Sequence, residues 1–311
     1  MPAGSASLTR NLEKPGRFSR MARWFALGVG WRIAPALPWI GRLLGPVVEE
    51  RLAFWGQNGY LPHLRHPRTF NEKICNRKLF NPVPQAAMLA DKLAVRKLVA
   101  ERGFPDILNE ILLVTKNPEE IDFSKLPERF VVKATHGSGW NIIVRNKQKI
   151  APEEIVGKCQ AWMRSTYGES LRERHYRDIP PAIIVEKFLF DEQYEVPLDY
   201  KFFVFHGKCH FIQVDFGRFT ERTKTVYDRN WEMQEFTIKY PRKIVDTKRP
   251  ATLDRMLEVA EALAHDLDFC RVDLYSVNDR NVYFGEMTLT PGAGLSRISP
   301  VSADYLMGSL W

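Results

Sequence analysis

The stretch Cys270-Arg271-Val272-Asp273-Leu274-Tyr275, with Tyr283-Phe284-Gly285-Glu286-Met287-Thr288 beyond it, decides the reading of this chain. Each segment is rich in β-branched and aromatic residues. The turn-forming run Asn278-Asp279-Arg280-Asn281 lies between them, so the pair predicts a β-hairpin. A symmetric hairpin has its midpoint between Asp279 and Arg280. Asp273 then faces Glu286 across the ladder, and Arg271 faces Thr288 on the same side. Opposed carboxylates repel in water, and two acids held together need a cation between them. Hard oxygen donors beside an arginine point to Mg²⁺ carrying phosphates. A solvated sheet face with Arg271 bridging the acids satisfies the hairpin equally well, so the rest of the chain must choose.

At 311 residues the chain can bury a substantial core, and its 45% hydrophobic and 26% charged content is that of a globular protein. The formal net charge of +8 favours acidic partners: a polyanionic polymer, a nucleotide or an anionic membrane surface. Cys75, Cys159, Cys209 and Cys270 are scattered without a CxxC pair. That fits a reducing compartment and argues against structural zinc. Arg10, Lys14, Arg17, Arg20 and Arg23 precede an apolar, tryptophan-containing stretch from Trp24 to Val48. Arg32, Pro35, Pro38 and Arg42 interrupt it, so no run of about 20 apolar residues is present to span a bilayer. Residues 18–48 read either as an interfacial membrane segment or as an amphipathic helical pair packing on the domain behind it.

Further along, a single amphipathic helix is expected over Gln85–Arg102, with Lys92 and Arg96 four apart on one face. Strands follow at Ile111–Val114, Phe130–Ala134 and Asn141–Arg145, then a helix over Pro152–Ser165 and a strand at Ala182–Val185. The second half reads as strands at Tyr200–His206, Cys209–Asp215 and Thr225–Asp228, a helix over Leu253–Leu267, and the acidic hairpin closing the chain. The pattern is α+β with antiparallel sheet.

Between two of these strands, Lys133-Ala-Thr-His136-Gly137-Ser138-Gly139 is a lysine followed by a glycine turn. Glycines let backbone amides approach a phosphate, and the lysine adds a point charge; an ordinary β-turn has the same appearance. Glu186-Lys187-Phe188-Leu189 ends an apolar strand and offers either an adenine hinge or a surface ion pair. Asp199-Tyr200-Lys201 starts a strand whose lysine reaches toward a phosphate, with Asp199 to orient it. Thr290-Pro-Gly292-Ala-Gly294 followed by Arg297 is a loop beside the acid pair, suited to close over an acceptor or simply to connect.

Taken together, Thr69-Phe-Asn-Glu-Lys73, Ala90-Asp-Lys92 with Arg96, Lys133 with His136–Gly139, Asp199-Tyr-Lys201, Arg271-Val-Asp273 and Phe284-Gly-Glu286-Met-Thr288 resemble the TupA-like branch of the ATP-grasp family over roughly residues 55 to 300. That branch is associated with teichuronopeptide and other surface-polysaccharide or capsule biosynthesis. The resemblance implies two α+β lobes with antiparallel sheets enclosing the nucleotide. It implies a basic, Trp-rich helical segment at 1–55, a first lobe with the phosphate loop at 56–185 and a second lobe with the metal hairpin at 186–311.

The resemblance also implies site roles. ATP would be held by Lys92, Lys133, His136, Gly137, Ser138, Gly139, Glu186, Lys187, Leu189 and Asp199. Mg²⁺ would be held by Asp273 and Glu286, with Thr288 where many ATP-grasp enzymes carry a better ligand, asparagine. Lys201, Arg271 and Arg297 would act in catalysis. The activity implied is an ADP-forming carboxylate–amine ligase, cytoplasmic or at the inner membrane face. It would join an amino acid or amine to a uronic-acid-containing or other acidic glycan, with no nucleic-acid partner. A glycan kinase using His136 or Asp199 as base, and a non-catalytic membrane-associated glycan-binding protein, are the alternatives.

Overall fold

The computed structural model describes residues 45–217, 222–243 and 247–311. Apart from residues 45–48, the stretch expected to contact membrane or pack on the domain lies outside them. The chain divides into two compact units, Met1–Leu61 and Pro62–Trp311. The described part of the first contains helix α1 (Pro46–Asn58), which ends at Gly59 with φ 84°, a left-handed stop that glycine adopts without a Cβ clash. No helix among the described residues is long and apolar enough to cross a membrane.

The second unit opens with helix α2 (Phe70–Leu79), which the pattern reading did not anticipate. Its start was nevertheless written in the sequence: the Thr69 hydroxyl accepts from the Glu72 amide and the Glu72 carboxylate from the Thr69 amide, a capping box. The single helix expected over Gln85–Arg102 is two, α3 (Ala86–Ala90) and α4 (Val95–Glu101). Between them the Asp91 carboxylate accepts from the Leu93 amide at 2.8 Å, and the Lys92 amide reaches the Thr135 carbonyl at 3.4 Å. A side-chain bond and a long-range one thus replace the helical ladder.

Strands β1 (Ile111–Thr115), β2 (Phe130–Ala134), β3 (Asn141–Val144) and β4 (Ile183–Lys187) form an antiparallel sheet of order β1-β4-β2-β3. Its alternate apolar side chains Phe130, Val132, Ile183 and Val185 bury against Ile155 and Cys159 of helix α5 (Pro152–Met163). A second antiparallel sheet has the order β10-β9-β5-β6-β7. Its strands are β5 (Asp199–Phe205), β6 (Lys208–Phe216), β7 (Thr223–Asp228), β9 (Phe269–Val277) and β10 (Asn281–Thr288).

The two faces of this five-stranded sheet differ in chemistry. Tyr200, Phe202, Val204, Ile212, Val214, Val272 and Leu274 point to one face and pack under helix α6 (Leu253–Leu263) and the apolar sides of α3 and α4. On the other face Phe203, Phe205, Phe211, Val226 and Phe269 form an apolar half with Phe70 of α2. The remaining half carries Asp199, Lys201, Gln213, Arg271 and Asp273 and lines a cavity. Because strand side chains alternate faces, that polar half follows directly from the period of the sequence. The chain does not end at the hairpin. Strand β11 (Ile298–Ser299) pairs with β8 (Thr237–Ile238), and helix α7 (Val301–Ser309) follows.

Candidate active site

Asp273 and Glu286 are cross-strand partners, and so are Arg271 and Thr288. The hairpin that brings them together is not symmetric. Asn278 and Asp279 both sit at φ 53°, and the ladder runs from Asn281↔Val277 to Phe284↔Leu274, centred on Asp279. Continued unbroken, that register would set Gly285 opposite Asp273 and turn Glu286 to the core face. A bulge between Phe284 and Glu286 inserts one residue and restores the pairing. Gly285 occupies the bulge, where a Cβ would lie 2.8 Å from the Asp273 carbonyl oxygen. The expected pairing is therefore present, by a different route.

A chain of charge runs along this face. Lys201 Nζ donates to Asp199 at 2.6 Å and to Asp273 at 2.5 Å. Arg271 donates to both oxygens of Asp273, at 2.6 and 2.7 Å, to Glu286 at 3.2 Å and to the Thr288 hydroxyl at 3.0 Å. The carboxyls are driven apart in proton affinity. Burial, opposed by Arg271 and Lys201, leaves Asp273 at about 6. Glu286 is also penalised by burial, but Lys92, Arg271 and Lys201 draw it down to about 2. Burial works against the charge on Lys201 and Arg271, yet their carboxylate neighbours hold both above their ordinary values.

Among the described residues no cluster of three or more His, Cys, Asp and Glu is assembled for a metal. As an oxygen pair, Asp273 and Glu286 suit a hard divalent cation completed by phosphates. The buried Asp273, held up near 6 despite two cations, marks a place where further positive charge is stabilising. The residues fit Mg²⁺ provided Arg271 gives up its position between the two acids.

The cavity beside this pair measures about 360 Å³, and Lys92, Lys133, Ser138 and Gly139 enter it from the β2–β3 side. Lys92 donates to the Gly137 carbonyl from the turn between α3 and α4, rather than from a helix face shared with Arg96. Arg96 instead reaches the Asn109 carbonyl at 2.5 Å and lies 3.7 Å from Glu186. Lys133 donates to Glu186 at 2.6 Å; burial opposes its charge, but Glu186 carries it above the ordinary lysine value. A smaller slot of about 70 Å³ adjoins, lined by Val131, Ile143, Glu186, Lys187, Phe188, Leu189 and Phe284. Lys133, Asn141 and Tyr275 line both spaces.

Four expected residues stand outside these walls: Gly137, Thr288, His136 and Arg297. His136 is 2% exposed, with Nε2 3.0 Å from the Trp162 carbonyl and its ring edge-on to Trp140. Arg297 is exposed and outside the cavity lining, although Gly292, Ser296 and Ile298 belong to it. Conversely, Arg222, Lys224, Lys239 and Tyr240 line the cavity and were not anticipated. The alternation of Lys224 with Val226 was the available signal.

No curated protein matches the chain. Similar solved structures include D-alanine–D-alanine ligase from Bacillus anthracis (17% identity, TM-score 0.41, 72% of this chain and 64% of that one). The ATP-grasp ligase PsnB complexed with minimal precursor, Mg and ADP is another (12%, 0.37, 67% and 52%). N5-carboxyaminoimidazole synthetase from Staphylococcus aureus complexed with ADP is a third (14%, 0.39, 65% and 44%). The chain thus spans less than two thirds of each of these proteins. Residues 72–311 match the TupA-like ATP-grasp family, so this chain belongs to that family and its two antiparallel-sheet lobes are those of the ATP-grasp fold.

Proposed function

We propose that the protein is an ADP-forming ligase that activates a carboxylate with ATP and joins it to an amine. The observation that carries this reading is the continuity of an apolar slot with a cation-rich cavity ending at the Asp273–Glu286 pair. Adenine occupies the slot against Phe188 and Leu189, with the backbone at Lys187 and the Glu186 carboxylate at its edge. Lys92, Lys133 and the 137–139 loop face the phosphates. Asp273 and Glu286 would hold Mg²⁺, with the Thr288 hydroxyl beside them, and the bound ion would supply compensation of the phosphate charge.

A carboxylate oxygen of the acceptor attacks the γ-phosphorus and ADP leaves. The amine nitrogen then displaces phosphate from the acyl phosphate and loses its proton. The protein's part is positioning and charge compensation. Arg271 meets the developing charge, while Lys201, bound on both sides by Asp199 and Asp273, keeps the metal-facing carboxylate in place. The 290–294 loop and Arg297 stand at the acceptor side.

A kinase would need a free base. His136 stands outside the cavity lining with Nε2 on the Trp162 carbonyl, so Asp199, one oxygen on Lys201 and the other without a hydrogen-bond partner among the described residues, is the group left to serve. The net charge of +8 supports a polyanionic acceptor, and family membership supports an acid of the surface-polysaccharide or capsule class. The reaction belongs on the cytoplasmic side, close to the membrane where such glycans are assembled.

Incubation with MgATP, hydroxylamine and a uronic-acid glycan tests the reading. ADP together with a hydroxamate, formed only when ATP and glycan are both present, is expected. A phosphorylated glycan without hydroxamate would replace the ligase with the kinase.

A further inference from the structure

At the edge of the cavity, Arg222 just before β7, Lys224 on β7 and Lys239 just after β8 gather as cations that the chemistry above does not use. Arg222 Nη2 lies 2.5 Å from Asp215 and Lys224 Nζ lies 3.6 Å from it, so one carboxylate serves both; Gln213 also donates to it at 2.6 Å. The Lys239 ammonium joins them around one ring: Arg222, Lys224 and Lys239 stand 4.9, 5.3 and 5.5 Å from the centroid of Tyr240. All four residues line the cavity. The Arg222 Nε is buried without a hydrogen-bond partner among the described residues.

Among the described residues three cations stand against one acid, and the most buried of them, Lys224, at 11% side-chain exposure, holds charge that an arriving anion would compensate. Lys224 registers the cost of that charge. Burial, with Lys201, Arg222 and Arg271 nearby, lowers it to about 8 despite Asp215. The order β9-β5-β6-β7 puts Lys224 three strand spacings from Asp273, about 14 Å at the backbone. An anion held here is therefore a different group from the one reacting beside Asp273 and Glu286.

We propose that Arg222, Lys224 and Lys239 form a second oxyanion subsite for the acceptor, which is therefore a polyanion. One carboxylate reacts at the acid pair while another acidic group of the same molecule, carboxylate or phosphate, is held at β7. This inference rests on the ligase reading above.

The test is calorimetric titration of the full chain saturated with MgADP, using galacturonate, trigalacturonate, neutral maltotriose and UDP-galacturonate. Lys224→Gln and Lys239→Gln are compared with wild type, and Arg222 is kept so that Asp215 stays paired. Trigalacturonate is expected to bind about tenfold more tightly than galacturonate, the order of one added charge contact, and both variants should lose that advantage while holding MgADP as wild type does. The same behaviour with UDP-galacturonate alone supports the subsite with phosphate as its anion. Equal binding of maltotriose, or unchanged trigalacturonate affinity in both variants, overturns it. Selective loss of AMP-PNP relative to ADP also overturns it, by assigning the cluster to the nucleotide. Failure of wild type to bind MgADP would sink the nucleotide reading and this inference together. MgADP binding without anion preference removes the inference alone.

Discussion

Gly285→Ala tests the device that aligns the two acids. The new Cβ would lie 2.8 Å from the Asp273 carbonyl oxygen and 3.2 Å from Tyr275 Cε2. The first distance is shorter than real Cβ contacts, and its partner is backbone, so relief requires strand β10 to move away from β9. Overpacking of this kind costs about 2 kcal/mol, which for a chain of this size lowers the melting temperature by about 3 °C. The same displacement carries Glu286 out of register with Asp273, and misoriented metal ligands typically lose about 10–100-fold in affinity. Thermal melts would be read beside Mg²⁺ titrations of nucleotide binding. A variant that melts with wild type and needs no more Mg²⁺ would refute the role given to the bulge. Normal Mg²⁺ dependence with a lowered melting point would keep the clash and refute the alignment.

Asp273→Asn and Glu286→Gln should each abolish ATP turnover while near-ultraviolet dichroism stays native; activity retained in both would remove the metal assignment. Thr69→Ala breaks the capping box of α2 and should cost about 1–2 kcal/mol in urea unfolding, with Thr69→Ser recovering most of it. His175 supplies a pH signature. Burial outweighs Asp178 and pushes it from 6.5 down to about 4, so the unfolded chain takes up the proton first as pH falls. Stability is then complete above pH about 6.5 and declines toward pH about 4, by about 3 kcal/mol at most. His175→Gln should flatten the urea midpoint across that window, and an unchanged pH slope would show that other groups carry it.

Much of the fold could be read from local pattern. The alternation Asp199, Lys201, Phe203, Phe205 against Tyr200, Phe202, Val204 marks a strand buried on both faces. The apolar spacing of Leu253, Met256, Leu257, Ala260 and Leu263 marks helix α6. The same rules failed at Gln85–Arg102, where helical periodicity continues through Asp91 but the Asp91 carboxylate and the Thr135 carbonyl claim the amides. They also passed over the capping box at Thr69 and Glu72, because its short helix carries its apolar residues, Phe70 and Ile74, without a long stripe.

By itself the sequence determined the strand alternation, the placing of two acids on a late hairpin, the glycine turn after Lys133 and the apolar pair Phe188–Leu189 at the end of a strand. Each is a property of residues close in the chain, where a period of two or a turn-forming run is the whole signal. Only the tertiary structure decided that a bulge at Gly285, not a symmetric turn, sets Asp273 against Glu286. It alone placed Lys201 between two aspartates and paired Lys133 with Glu186. It also turned His136 toward Trp162 and gathered Arg222, Lys224 and Lys239 around Tyr240. Those outcomes depend on the register between strands far apart in sequence, and a one-residue slip in that register moves every side chain to the opposite face.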